Sequence, residues 1–151
     1  SKNLLSMGPF SKRIFSSLLF YPKAYLEQKP YVKVDVLHGS SLCISKEAFQ
    51  KTGGYDEEFF LYEEEKVIGQ KLRRAGYKSY LCTICSYLHE DSGSTKKSLK
   101  SLVQRQKLRQ QSEALYARKY LHANFLQMLI FKAVQAVILG ETLFYSLLLS
   151  K

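Results

Sequence analysis

The chain has 151 residues, 46% of them apolar, which permits a hydrophobic core and argues against wholesale disorder. Its formal net charge is +10, from 23 Lys and Arg against 13 Asp and Glu, and a surface of that sign attracts nucleic acid, anionic lipid or phosphorylated substrates. Three cysteines, Cys43, Cys82 and Cys85, are too few and too unevenly spaced for a disulfide scaffold and fit a reducing compartment.

Residues 1–30 are basic, aromatic and broken by Pro9, Pro22 and Pro30, which predicts a lead-in with short helices. Its apolar run is followed by no small-residue cleavage site of a signal peptide. The chain opens on Ser1, so the expectation is a piece of a longer protein, whose remainder could carry the acidic complement. Tyr31–Val36 and Ser40–Ile44 are β-branched and apolar and predict strands. Ser45 is placed to cap a short helix, Lys46–Lys51, which Thr52-Gly53-Gly54 ends. Tyr55–Tyr62 predicts an aromatic loop. Glu63–Ala75 predicts a helix, with acids in its first turn, Lys71, Arg73 and Arg74 near its end, and Gly76 as the stop. Tyr77–Ile84 and Ser86–Leu88 are strand-like, and Asp91–Thr95 is a turn.

The last third, residues 96–151, is helical in pattern. Lys96–Tyr120 is strongly basic, with Glu113 as its one acid. Asn124–Leu149 is mostly apolar and long enough to span a bilayer, but Lys132 and Glu141 lie inside it. At 100° per residue, Asn124, Gln127, Lys132, Gln135, Thr142 and Ser146 share one side and leave a wide apolar face. Such a helix suits either an anionic membrane interface, helped by the basic helix before it, or packing on a protein core.

Chemistry concentrates between residues 38 and 89. Three carboxylates, Glu63, Glu64 and Glu65, open a helix, where exposed N–H groups favour negative charge. An ionised carboxylate in a partly apolar cleft can act as a general base, although acids favour any first helical turn. Around them stand His38-Gly39-Ser40, then Gly54-Tyr55-Asp56-Glu57, Phe59-Phe60-Leu61-Tyr62, Lys71-Leu72, Gly76-Tyr77 and finally His89. In that order and spacing, over about residues 31–95, the set resembles the C-terminal half of bacterial family 2 glycosyltransferases of capsule, O-antigen and cell-wall polysaccharide assembly.

The resemblance implies an α/β fold, the C-terminal part of a GT-A domain with a helical C-terminal extension. It implies an inverting transferase that moves a sugar from a nucleotide sugar to a glycan or lipid-linked acceptor. Glu65 takes the position of the catalytic base, with Glu64 its neighbour. The family more often has Asp there, and Val67 stands where many relatives carry a further acid. Asp56, His38, Gly39 and Tyr62 fall on the acceptor side. His89 falls near the metal or diphosphate, or is a strand-end histidine. A divalent metal, magnesium or manganese, belongs to the full-length enzyme. No Asp-x-Asp occurs among Asp35, Asp56 and Asp91, so no bound metal and no activity are expected of this fragment alone. The location implied is cytoplasmic, peripheral on the inner face of the cell membrane, with self-association through exposed apolar surface as a further expectation.

Two other signals compete. Cys82-Thr83-Ile84-Cys85 has metal-site spacing, but a zinc site normally needs four ligands. Alternation along a strand would point the two thiols to opposite faces, as core cysteines. The basic helix could grip nucleic acid, but it lacks interleaved aromatics and any known motif, so no nucleic-acid partner is expected. A membrane-docking or assembly module remains the alternative to catalysis.

Overall fold

In a computed structural model of the chain, the residues described are 8–15, 17, 20–59, 61–88 and 101–149. They fall into two compact units, one formed within 16–89 and the other by 5–15 together with 90–151.

The first unit begins with a short helix, Lys23–Leu26 (α2). Strand β1, Tyr31–Val34, follows and pairs antiparallel with β2, Ser79–Cys82, in the register Tyr31 to Cys82 and Val34 to Ser79. Period-two alternation buries Val32 and Val34 while Tyr31 and Lys33 face out. Helix α3, Lys46–Lys51, starts where Ser45 Oγ accepts from Ala48 N at 3.2 Å. Helix α4, Glu64–Arg74, buries Val67, Ile68 and Leu72, and packs with Ala48, Leu42, Ile44, Phe49 and Tyr77. Gly69 lets α4 approach the sheet: a Cβ there would lie 3.1 Å from the Asp35 carbonyl oxygen.

Two sequence expectations are corrected. Ser40–Ile44 is not a strand. Residues 39–41 turn, with Ser41 N donating to His38 O at 3.4 Å, and among the described residues no further strand offers Ser40–Ile44 a backbone ladder, the sheet having two strands. The apolar side chains of Leu42 and Ile44 that suggested a strand are used against α3 and α4 instead. Nor are the cysteines core residues: Cys43 and Cys85 are exposed and Cys82 is half-buried. The strand ends at Cys82, where Thr83 bends the chain by bonding back to Pro30 O through its N–H (2.9 Å) and to Lys29 O through Oγ1 (2.8 Å). That bend breaks the alternation and brings the two thiols together, and the hydrogen bond that the Cys85 thiol makes to Cys82, then the charge of Cys82, more than burial, push the Cys85 thiol up.

The second unit contains a short helix, Ser11–Ile14 (α1), and two long ones, Leu102–Lys119 (α5) and Phe125–Leu149 (α6). The turn through residues 120–124 folds the long pair into a hairpin, with Asn124 N and Gln127 N exchanging side-chain bonds of 2.9 Å at the start of α6. Met128, Phe131, Gln135, Ile138 and Thr142 of α6 are buried at alternating spacings of three and four, the signature of a helix seam. Opposite them α5 buries Gln106, Glu113, Tyr116 and Ala117.

Candidate active site

The acid cluster is aimed by an unusual backbone. Tyr62 and Glu63 both have positive φ, 68° and 70°, although neither is glycine. Such geometry costs a non-glycine residue roughly 1–2 kcal/mol, and non-glycine strain of this kind clusters at functional sites. Glu63 is buried and held by Lys66, whose Nζ lies 2.9 and 3.0 Å from its two carboxylate oxygens. Glu63 therefore serves the turn, and α4 begins with Glu64 and Glu65.

Glu65 reaches back 26 residues in sequence. Its Oε1 accepts from Gly39 N at 3.0 Å. Gly39 leaves room for this contact, since a Cβ there would sit 2.7 Å from Glu65 Oε1 and 3.1 Å from its Cγ, and the Glu65 side chain would have to shift. Beside this contact His38 Nδ1 lies 2.7 Å from Ser40 Oγ, and Ser40 Oγ is in short contact with the Tyr87 hydroxyl. An imidazole, two hydroxyls and a carboxylate thus meet around one tight turn. Glu64 differs from its neighbour. Its Oε2 is buried with no hydrogen-bond partner among the described residues. Burial, and secondarily the charge of Glu65, pushes the Glu64 carboxyl above the ordinary carboxylate range against the pull of a backbone hydrogen bond.

Of the residues singled out from sequence, His38, Gly39, Glu64 and Glu65 share this neighbourhood. Asp56 shapes the preceding loop, its Oδ1 accepting from Glu58 N at 3.2 Å and its carbonyl from Phe59 N at 3.0 Å. Tyr62 supplies a left-handed turn just before α4. His89 lies outside the described residues. Among the described residues no group of three or more His, Cys, Asp or Glu is placed to hold a metal ion.

Two participants were not legible in the sequence. Tyr87 meets Ser40 across 47 residues, and no spacing announces it. Lys71, read as a helix-end cation, donates to Gly54 O at 2.6 Å and fixes the Gly53-Gly54 turn, where both residues have positive φ. Next to His38 lies an apolar cavity of about 170 Å³ lined by Tyr21, Leu26, Val34, Val36 and Leu81 among others. At its rim Tyr21 donates to Asp35 Oδ2 at 2.8 Å, and burial together with that carboxylate pushes its phenol up to about 12.

Comparison with known proteins bears on part of the chain. No protein-family model matches it, and no solved structure matches. A 59-residue stretch, 39% of this chain, is 37% identical to the N-acetylglucosaminyl-diphospho-decaprenol L-rhamnosyltransferase of Mycobacterium tuberculosis strain CDC 1551 / Oshkosh, and equally to that of strain ATCC 25618 / H37Rv. The match spans 19% of the length of these relatives. Part of the chain is therefore similar to a glycosyltransferase.

Proposed function

We propose that this chain is the acceptor-side piece of an inverting, family 2 glycosyltransferase of GT-A fold that works in cell-surface polysaccharide synthesis. The observation that carries the proposal is the Gly39 N–H bond to Glu65, because it brings together two motif pieces of the resemblance that lie 26 residues apart. The similarity to a rhamnosyltransferase supports the same class. That relative's name gives a sugar on a diphospho-decaprenol lipid as its acceptor, which makes a lipid-linked glycan the favoured acceptor class here.

In this account the Gly39 amide holds one oxygen of Glu65 and leaves the other for chemistry. That oxygen takes the proton of an acceptor hydroxyl as the hydroxyl oxygen attacks the anomeric carbon of the donor. The carbon–oxygen bond to the nucleoside diphosphate breaks on the opposite face, so configuration inverts and the diphosphate leaves with the bonding pair. Glu64 sets the electrostatics beside the base. His38, Ser40 and Tyr87 offer donors and acceptors to the acceptor sugar, and Asp56 and Tyr62 shape the loop over it. His89 and a divalent metal would serve the diphosphate in the longer protein.

The proposal is tested by incubating the longer protein with a panel of nucleotide sugars and a lipid-linked acceptor. Release of nucleoside diphosphate with an inverted product, and no release by the 151-residue chain alone, is the expected result. A product of retained configuration would contradict it.

A further inference from the structure

The buried seam of helix α6 is mixed, with Gln135 and Thr142 set among Met128, Phe131 and Ile138. These two polar side chains are satisfied there. Gln135 Nε2 donates to Gln110 O (2.9 Å) and to Glu113 Oε2 (3.3 Å), Gln110 Nε2 returns a bond to Gln135 O (2.6 Å), and Thr142 Oγ1 bonds to Ile138 O. The opposite half of the helix carries Phe125, Leu126, Ile130, Val137, Phe144 and Leu147, which are 58–85% exposed. A contiguous exposed apolar arc of this length marks a surface that meets a partner or a membrane.

The ionisable residues of α6 follow the same logic. Glu141 falls at the border of the apolar arc, yet its Oε2 is taken by Phe10 N (3.3 Å), Ser11 N (3.1 Å) and Ser11 Oγ (3.0 Å). Gly8 makes room for it, since a Cβ there would lie 2.1 Å from that oxygen. A carboxylate facing water needs no such cage, whereas one beside hydrocarbon does. Lys132, at the other edge of the arc, joins Lys107 and Arg118 along an open groove of about 470 Å³ floored by Gln110 and Gln135. Among the described residues none of these three cations forms an ion pair.

We propose that this face of the hairpin docks on an anionic bilayer leaflet, with α6 lying in the interface and Lys107, Arg118 and Lys132 on lipid phosphates. The helix is long and apolar enough to cross a membrane by length and composition. However, α5 packs along it and carries Arg105, Lys107, Arg109, Arg118 and Lys119, which hydrocarbon does not accept. A second copy of the chain is the poorer occupant, because pairing the same face on itself brings two cationic flanks together. This inference stands on the second unit alone and does not rest on the transferase proposal.

The test is flotation of the 151-residue chain with phosphatidylcholine vesicles and with vesicles containing 30% phosphatidylglycerol. Binding is expected to the anionic vesicles and to weaken with salt. It should fall on the order of a hundredfold when Lys107, Arg118 and Lys132 are all changed to Gln. Val137→Asp, at an exposed position that leaves the hairpin seam intact, should lower it at least tenfold. Two results would overturn the inference. One is equal binding to neutral and anionic vesicles that survives both variants. The other is no vesicle binding by a chain that light scattering shows to be dimeric, which would put a second copy on the face.

Discussion

Gly39 is the residue on which the candidate site turns, because it supplies a donor and withholds a side chain at the same point. Gly39→Ala should displace the Glu65 carboxylate by the 2.7 Å clash at its Oε1. In the longer protein this is expected to cost roughly a hundredfold in kcat, the usual penalty for misplacing a catalytic group by about an ångström. Thermal unfolding should move little, since Gly39 is exposed. Glu64 makes a separate prediction about pH. Its carboxyl is raised chiefly by burial, so the folded state holds its proton more tightly than the unfolded chain does. Stability from this group is therefore full below the ordinary carboxylate pKa of about 4.3 and is lost as pH rises through the raised value. Glu64→Gln should unfold at higher denaturant than the native chain near neutral pH, and that advantage should vanish in acid. An advantage that is constant across pH would remove the buried, raised carboxyl from the account.

At the scale of elements, the seam between α5 and α6 is held by an amide pair as much as by apolar contact. Gln135→Leu keeps the volume but removes the bonds to Gln110 O and Glu113 Oε2. Leaving buried acceptors short of partners costs about 1–3 kcal/mol, to be read as a lower midpoint in thermal unfolding. Unchanged stability would mean that water replaces the amide. Helices were the most legible elements in the sequence. Expected bounds of Lys46–Lys51 and Glu63–Ala75 compare with observed Lys46–Lys51 and Glu64–Arg74, because Ser45, the acidic first turn and the glycines after each helix are local signals. The strands were less legible. Ser40–Ile44 has strand composition, but tertiary packing on α3 and α4 overrides propensity. In the site, Glu64, Glu65, His38 and Gly39 could be read because they lie in spaced motifs. Tyr87 and the Gly54 contact of Lys71 could not, since each is made only when distant turns meet. The polar stripe of α6 was visible as a pattern, but that Gln135 and Thr142 alone of it are buried depended on packing against another helix, where Gln135 meets Gln110 and Glu113.

For the molecule as a whole, a basic chain with two compact units carries an acid-bearing turn in one and, in the other, a long helical hairpin with one apolar face. The match to a rhamnosyltransferase covers 39% of the chain and 19% of that relative's length. The most direct test is turnover by that longer protein as Glu65→Gln and Glu64→Gln, with donor binding measured alongside. The account predicts that Glu65→Gln lowers kcat by about 10²–10⁴ while donor binding persists, and that Glu64→Gln has the smaller effect. Turnover that survives Glu65→Gln intact would reduce the acid cluster to a helix N-terminus and contradict the catalytic assignment.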